Sequence, residues 1–216
     1  MMKNRMILAI GLLLSCVIAL SSCTKNDEST ITLIGTEYYI DDILSVVPDS
    51  LETKFFSDFG SIPSGAIPPK IEGGFVMSPK QRLCSNMSEW PLATVEPNVF
   101  MRFAGQHNGI VAMDLNEATE TLTDTVFVQG SGNSFVVYFI EDKDYELELD
   151  NHTYQVRTKR GVVMKGKVTD NGFTDFRYAT IVMEAEDNTG GLIEQYPRGS
   201  YFIYKDGDGT VERQEW

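Results

Sequence analysis

The chain has 216 residues, 31 of them acidic against 18 basic, for a formal charge of −13. An acidic chain without a clustered basic patch excludes nucleic acid as its natural partner, because phosphate binding relies on grouped Lys and Arg that release counterions. Cys16 and Cys23 belong to the N-terminal apolar segment, which leaves Cys84 alone, so packing rather than an intrachain disulfide must hold the fold.

In chain order, Lys3 and Arg5 precede an apolar run from Ile7 to Leu20. The run is shorter than the about 20 apolar residues a membrane helix needs. Its basic start and small-residue end read as a signal peptide over residues 1–22. Leu20-Ser21-Ser22-Cys23 has the pattern of a lipobox. Cleavage there would make Cys23 the first residue, carrying a thioether-linked diacylglycerol and an N-acyl chain. Two or more acyl chains hold a protein stably at a bilayer. The membrane is thus the expected partner, through Cys23, with no cofactor besides the covalent lipid. Thr24, not Asp, follows the cysteine, which points to the outer membrane. Residues 23–37 read as a lipidated tether and residues 38–216 as one β-rich domain.

Asp49-Ser50-Leu51-Glu52 after Pro48 predicts a helix start, with Asp49 as its cap and Glu52 at capping-box spacing. Leu51, Phe55, Phe56 and Phe59 share one face, and Gly60 is a natural stop. A shorter turn over Asp41 to Val47 is a second helical candidate. Ser61 to Trp90 is rich in Pro and Gly and reads as turns, apart from a strand over Ile71 to Ser78.

From Asn98 the cadence is strand and tight turn: Val99–Ala104, Ile110–Leu115, Thr125–Gln129, Ser134–Ile140, Tyr145–Leu149, Tyr154–Thr158, Val162–Val168, Phe176–Glu186, Ser200–Tyr204 and Thr210–Gln214. A turn is expected at Arg160-Gly161, and Asp206-Gly207-Asp208-Gly209 reads as a hairpin turn. The pattern predicts a mainly β, antiparallel barrel, or alternatively a sandwich, of roughly 8–10 strands with a short N-terminal helix. Phe135–Ile140 is apolar on both faces. One face serves the core, and the other lies under the N-terminal helix or borders a cavity.

Few residues point to chemistry. His107 and His152 stand apart in turns without zinc-ligand spacing. Gln106-His107-Asn108 is the most polar loop tip. Glu141-Asp142-Lys143-Asp144 and Glu184-Ala185-Glu186-Asp187 look like solvated acids at strand ends, and Cys84 like a small buried hydrophobe. No metal site and no catalytic residue are expected, and an enzyme is the least favoured class. Trp90 and Trp216 are too few for a sugar-stacking platform.

Ile62-Pro63-Ser64-Gly65 through Pro68-Pro69-Lys70-Ile71-Glu72-Gly73-Gly74-Phe75, together with Arg198-Gly199-Ser200-Tyr201 running into Lys205-Asp206-Gly207-Asp208-Gly209, resemble uncharacterised outer-membrane lipoproteins of Bacteroidetes. Lys25-Asn26-Asp27-Glu28 resembles their surface-export signal. The order of short helix, Gly-containing strand and hairpins is similar to lipocalin-like (calycin) barrels, although Gly73-Gly74-Phe75 departs from the lipocalin Gly-x-Trp. The leading reading is a non-enzymatic, lipid-anchored envelope protein that binds a small or partly apolar ligand, and the apolar strands Phe135–Ile140 and Ala179–Met183 give Phe135, Val137, Phe139, Ile181 and Met183 as the expected lining. The other reading is a structural or interaction module, a filled sandwich that docks to an envelope protein or glycan. Bulky residues meeting across both faces of the central strands would mark the module; an apolar cavity of about 300–1,000 Å³ would mark the binder.

Overall fold

The computed structural model describes residues 40–87, 95–117, 120–149, 152–187 and 197–215. The signal segment, Cys23, the tether, Trp90 and Trp216 lie outside the described residues.

Among the described residues two helices come first, α1 (Ile40–Leu44) and α2 (Asp49–Phe59). Asp49 is the first helical residue rather than the cap; Pro48 holds the cap position and no side chain caps the helix there. Asp49 and Glu52 in the first turn instead favour the positive end of the helix dipole. Gly60 ends α2 with φ of 84°, and its N–H donates to Phe56 O. Phe55 and Phe59 form the buried stripe; Phe55 stacks with Phe59 at 5.3 Å and meets Tyr201 edge-on at 5.1 Å.

Eleven strands follow among the described residues: β1 (Gly73–Met77), β2 (Lys80–Ser85), β3 (Val95–Glu96), β4 (Val99–His107), β5 (Ile110–Glu117), β6 (Glu120–Ser131), β7 (Ser134–Leu149), β8 (His152–Thr169), β9 (Gly172–Asp187), β10 (Tyr201–Asp206) and β11 (Thr210–Gln214). The antiparallel order β1-β4-β5-β6-β7-β8-β9-β11 returns to β1, closing an eight-stranded barrel. β10, β2 and β3 continue from β9 outside that ring. Closure decides for a barrel over a sandwich.

Three expectations are corrected. Ser134–Ile140 and Tyr145–Leu149 belong to the single strand β7, and Tyr154–Thr158 and Val162–Val168 to β8. The acidic run Glu141–Asp144 is therefore mid-strand, paired with Arg160, Lys159, Thr158 and Arg157 of β8. No turn interrupts β8 at Arg160-Gly161. Gly161 sits opposite Ile140 in the ladder, where any Cβ would overlap the Ile43 side chain of α1. Glycine here permits the close approach of α1 to the sheet rather than a chain reversal.

Second, β10 and β11 do not pair with each other. β10 runs between β9 and β2, while β11 runs between β9 and β1. The Asp206 carboxylate accepts N–H bonds from Ser78 (2.9 Å), Asp208 (3.1 Å) and Gly209 (3.0 Å), so a side chain rather than a ladder shapes this turn. Burial and the neighbouring Asp208 push the Asp206 carboxyl up to about 6. Third, Lys80–Ser85 is a strand within the segment expected to be turns.

Two apolar cores result. The inner one fills the barrel and includes Phe75, Met101, Phe103, Met113, Phe135, Val137, Phe139, Met164, Phe173 and Phe176. The outer one lies between the helices and the outer surface of β7, β8, β9, β10 and β2; Ile43, Phe55 and Phe59 meet Val136, Tyr138, Val163, Ala179, Ile181 and Tyr201 there. The second apolar face of β7 thus lies under the helices. Alternation along one strand feeds both cores.

Candidate functional site

The five expected lining residues divide between the two cores. Phe135, Val137 and Phe139 point into the barrel. Ile181 and Met183 lie on the outer surface of β9, under the helices, with Val136 and Tyr138. All five are buried, but the structure does not bring them to one wall.

Aromatic side chains fill one part of the interior. The Phe173 ring stacks on Phe75 at 3.9 Å and lies 4.7 Å from Phe135, 6.0 Å from Phe176 and 6.4 Å from Phe103. A bulge makes this possible. The β8–β9 register shifts between Lys165 and Lys167, and Asp175 takes φ of 50°. The extra residue changes the parity of β9, so Phe173 and Phe176 both point inward.

Tyr178 and Tyr204 occupy the interior where β9 and β10 pair, and charges cover them. Lys80 lies 4.0 Å from the Tyr204 ring centroid and 5.3 Å from that of Tyr178. Its ammonium pairs with Glu117 of β5 and with Glu96 of β3 at 3.2 Å. Arg82 pairs with the other Glu96 oxygen and lies over the Phe202 ring. The side chains of Lys80 and Arg82 are only 3% and 5% exposed. Burial pushes both tyrosine hydroxyls well above their usual range, reinforced by Glu117 at Tyr178 and by Glu96 at Tyr204. The arrangement is a charged plug made of partnered groups, and it joins β2 and β3 to β5 without backbone pairing.

Sequence reasoning missed Lys80 and Arg82, because both fall in the Pro- and Gly-rich segment expected to be turns. The available signal was alternation: Lys80, Arg82 and Cys84 are the buried positions of β2.

The remaining candidates are structural. Gln106 accepts from Ile71 N–H and donates to Pro69 O, which pins the chain ahead of β1. His107 lies 2.6 Å from Gly105 O. The His152 side chain is outside what is described. Cys84 is buried, 3.1 Å from Lys54 Nζ, and burial pushes its thiol up, away from the reactive thiolate. Among the described residues, no three His, Cys, Asp or Glu side chains converge as a metal site.

A polar cleft opens on the outer surface where the C-terminal end of α2 meets β8 and β9. It encloses about 360 Å³, with Ser57, Asp58, Ser61 and Pro63 on one side and Ser134, Lys165, Lys167, Asp175 and Arg177 on the other. Lys165 and Arg177 are direct cross-strand neighbours. Lys165 Nζ donates to Ser61 O at 2.8 Å, and Arg177 donates to Asp58 O at 3.4 Å and to Phe176 O at 2.8 Å. Lys167 pairs with Asp175 at 2.8 Å. Burial, then the adjacent Arg177, pulls the Lys165 ammonium below the usual lysine range.

Compared with known proteins, the chain matches no family model, no curated protein and no solved structure. The eight-stranded antiparallel barrel is compatible with a lipocalin-like fold; the lipoprotein resemblance rests on the sequence motifs alone.

Proposed function

We propose that this chain is a lipid-anchored, non-enzymatic binding module of the outer membrane, acting through its outer surface rather than by carrying a ligand deep in the barrel. The observation that carries the second half is the interior itself. A barrel of about eight strands is just wide enough for side chains to fill or for one small ligand to enter. Here Phe173 and its ring neighbours occupy one part, and the Lys80 and Arg82 plug covers another. Bulky residues also meet on both faces of β7, which is what an interaction module requires.

The anchor reading rests on Leu20-Ser21-Ser22-Cys23 and the apolar run before it. Expression of the full chain in a Gram-negative host tests it. The mature product is expected in the outer-membrane fraction, starting at Cys23 and heavier by its acyl chains. Cys23→Ser is expected to abolish acylation and processing. An unacylated wild-type chain, or a Cys23→Ser variant with unchanged mass and fractionation, overturns the anchor.

A further inference from the structure

Lys165 and Arg177 set two positive charges opposite each other on neighbouring strands, in a chain with 31 acidic residues. Like charges directly opposite in a sheet are destabilising. Yet among the described residues neither has a carboxylate within ion-pair distance. Their partners are neutral: the carbonyls of Ser61, Asp58 and Phe176 and, for Lys165, the Phe59 ring at 5.3 Å. Holding the C-terminal end of α2 accounts for one cation there, since a helix presents its negative end at that point. It does not account for two of them facing each other.

Both side chains also keep donors in reserve. An ammonium has three donors and a guanidinium five. Lys165 commits one to Ser61, and Arg177 commits Nε and Nη1. The cleft they line is large enough for a small solute, and Ser57, Ser61 and Ser134 add groups suited to hydroxyls. Lys167 adds a third cation at the rim, held by Asp175 at the bulge.

We infer that this cleft is a binding site for a small hydroxylated oxyanion, of the sugar-acid type, with Lys165 and Arg177 clamping the anionic group and the serines meeting the hydroxyls. A bound anion would offset the repulsion between the two cations, which the Asp175 carboxylate, paired with Lys167, reaches only at longer range. A planar guanidinium beside an ammonium suits a carboxylate, sulfate or phosphate equally. The inference rests on the outer-surface reading above and names its ligand class.

The test is calorimetric titration of the full chain in an uncharged detergent, at constant ionic strength in chloride. Probes are glucuronate, inorganic sulfate, inorganic phosphate and glucose. Glucuronate is expected to saturate one site per chain, with sulfate or phosphate weaker and competing for it, and glucose silent. Lys165→Gln and Arg177→Gln, each checked for an unfolding midpoint near wild type, are expected to weaken glucuronate at least about tenfold, the order of one lost charge-assisted hydrogen bond. Lys159→Gln, outside the cleft, is expected to bind as wild type. If Lys165→Gln or Arg177→Gln unfolds, Lys167→Gln at the rim replaces it, with a smaller loss expected. No saturable binding of any anion, binding of glucose equal to glucuronate, or binding untouched by the variants overturns the site. Such a failure leaves the packed interior standing, whereas an apolar molecule held inside the barrel would overturn the interior argument and leave the cleft intact.

Discussion

Phe173→Ala is expected to destabilise the protein by about 3–5 kcal/mol, the range for truncating a large buried aromatic side chain. Phe173 is fully buried and touches rings from three other strands, β1, β4 and β7, besides Phe176 on its own. Its removal leaves a hole that the closed barrel cannot collapse, because hydrogen-bonded neighbours hold each surrounding strand at fixed spacing. Against a total stability of typically about 5–15 kcal/mol, such a loss is large. Urea unfolding followed by circular dichroism measures it. A loss below about 1 kcal/mol would mean that the interior is loosely filled, contrary to the ring geometry.

Glu96→Ala is expected to cost about 3–5 kcal/mol, as removal of one member of a buried ion pair does. Glu96 spans Arg82 and Lys80 with its two oxygens, and both cations are almost wholly out of water. Glu117 still meets Lys80 when Glu96 is gone, so the larger share of the loss falls on Arg82. The double variant Glu96→Met with Arg82→Met is expected to recover most of the stability, since two apolar side chains replace the pair without a stranded charge. Equilibrium unfolding of the single and double variants forms the cycle. A single-variant loss under about 1 kcal/mol, the value of an exposed pair, would show that the plug is solvated.

How much of this could be read beforehand follows from how local each feature is. α2 was readable because Leu51, Phe55, Phe56 and Phe59 repeat at helical spacing and Gly60 stops them within one short window. The hairpins around Gly105–Gly109 and Gly130–Asn133 were readable for the same reason: turn residues flanked by apolar alternation. Barrel closure was not, because β1 joins β4 and β11, and β9 joins β11, across long stretches of chain that carry no local mark.

The lining residues show the same boundary. Burial of Phe135 and Ile181 was foreseen, but not that they serve opposite faces of the sheet. Which face a residue serves depends on registers and bulges; β9 shifts register against β8 twice, and the shift at Asp175 turns both Phe173 and Phe176 inward. Gly161 shows how one residue supports two readings. Glycine signals a turn or a close approach, and only Ile43, more than a hundred positions earlier, identifies it as the latter. The outer cleft was invisible for a related reason: Asp58 and Ser61 come from the end of α2, and Lys165 and Arg177 from adjacent strands far along the chain.

The central claim is that side chains fill the barrel and that binding takes place outside it. Native mass spectrometry of the full chain purified from outer membranes in an uncharged detergent, followed by organic extraction, tests this most directly. The account predicts the mass of the acylated chain alone and no apolar small molecule in stoichiometric amount in the extract. An apolar molecule recovered at one per chain, and lost in the Phe135→Trp variant that would crowd it out, would contradict the account and make the barrel a carrier.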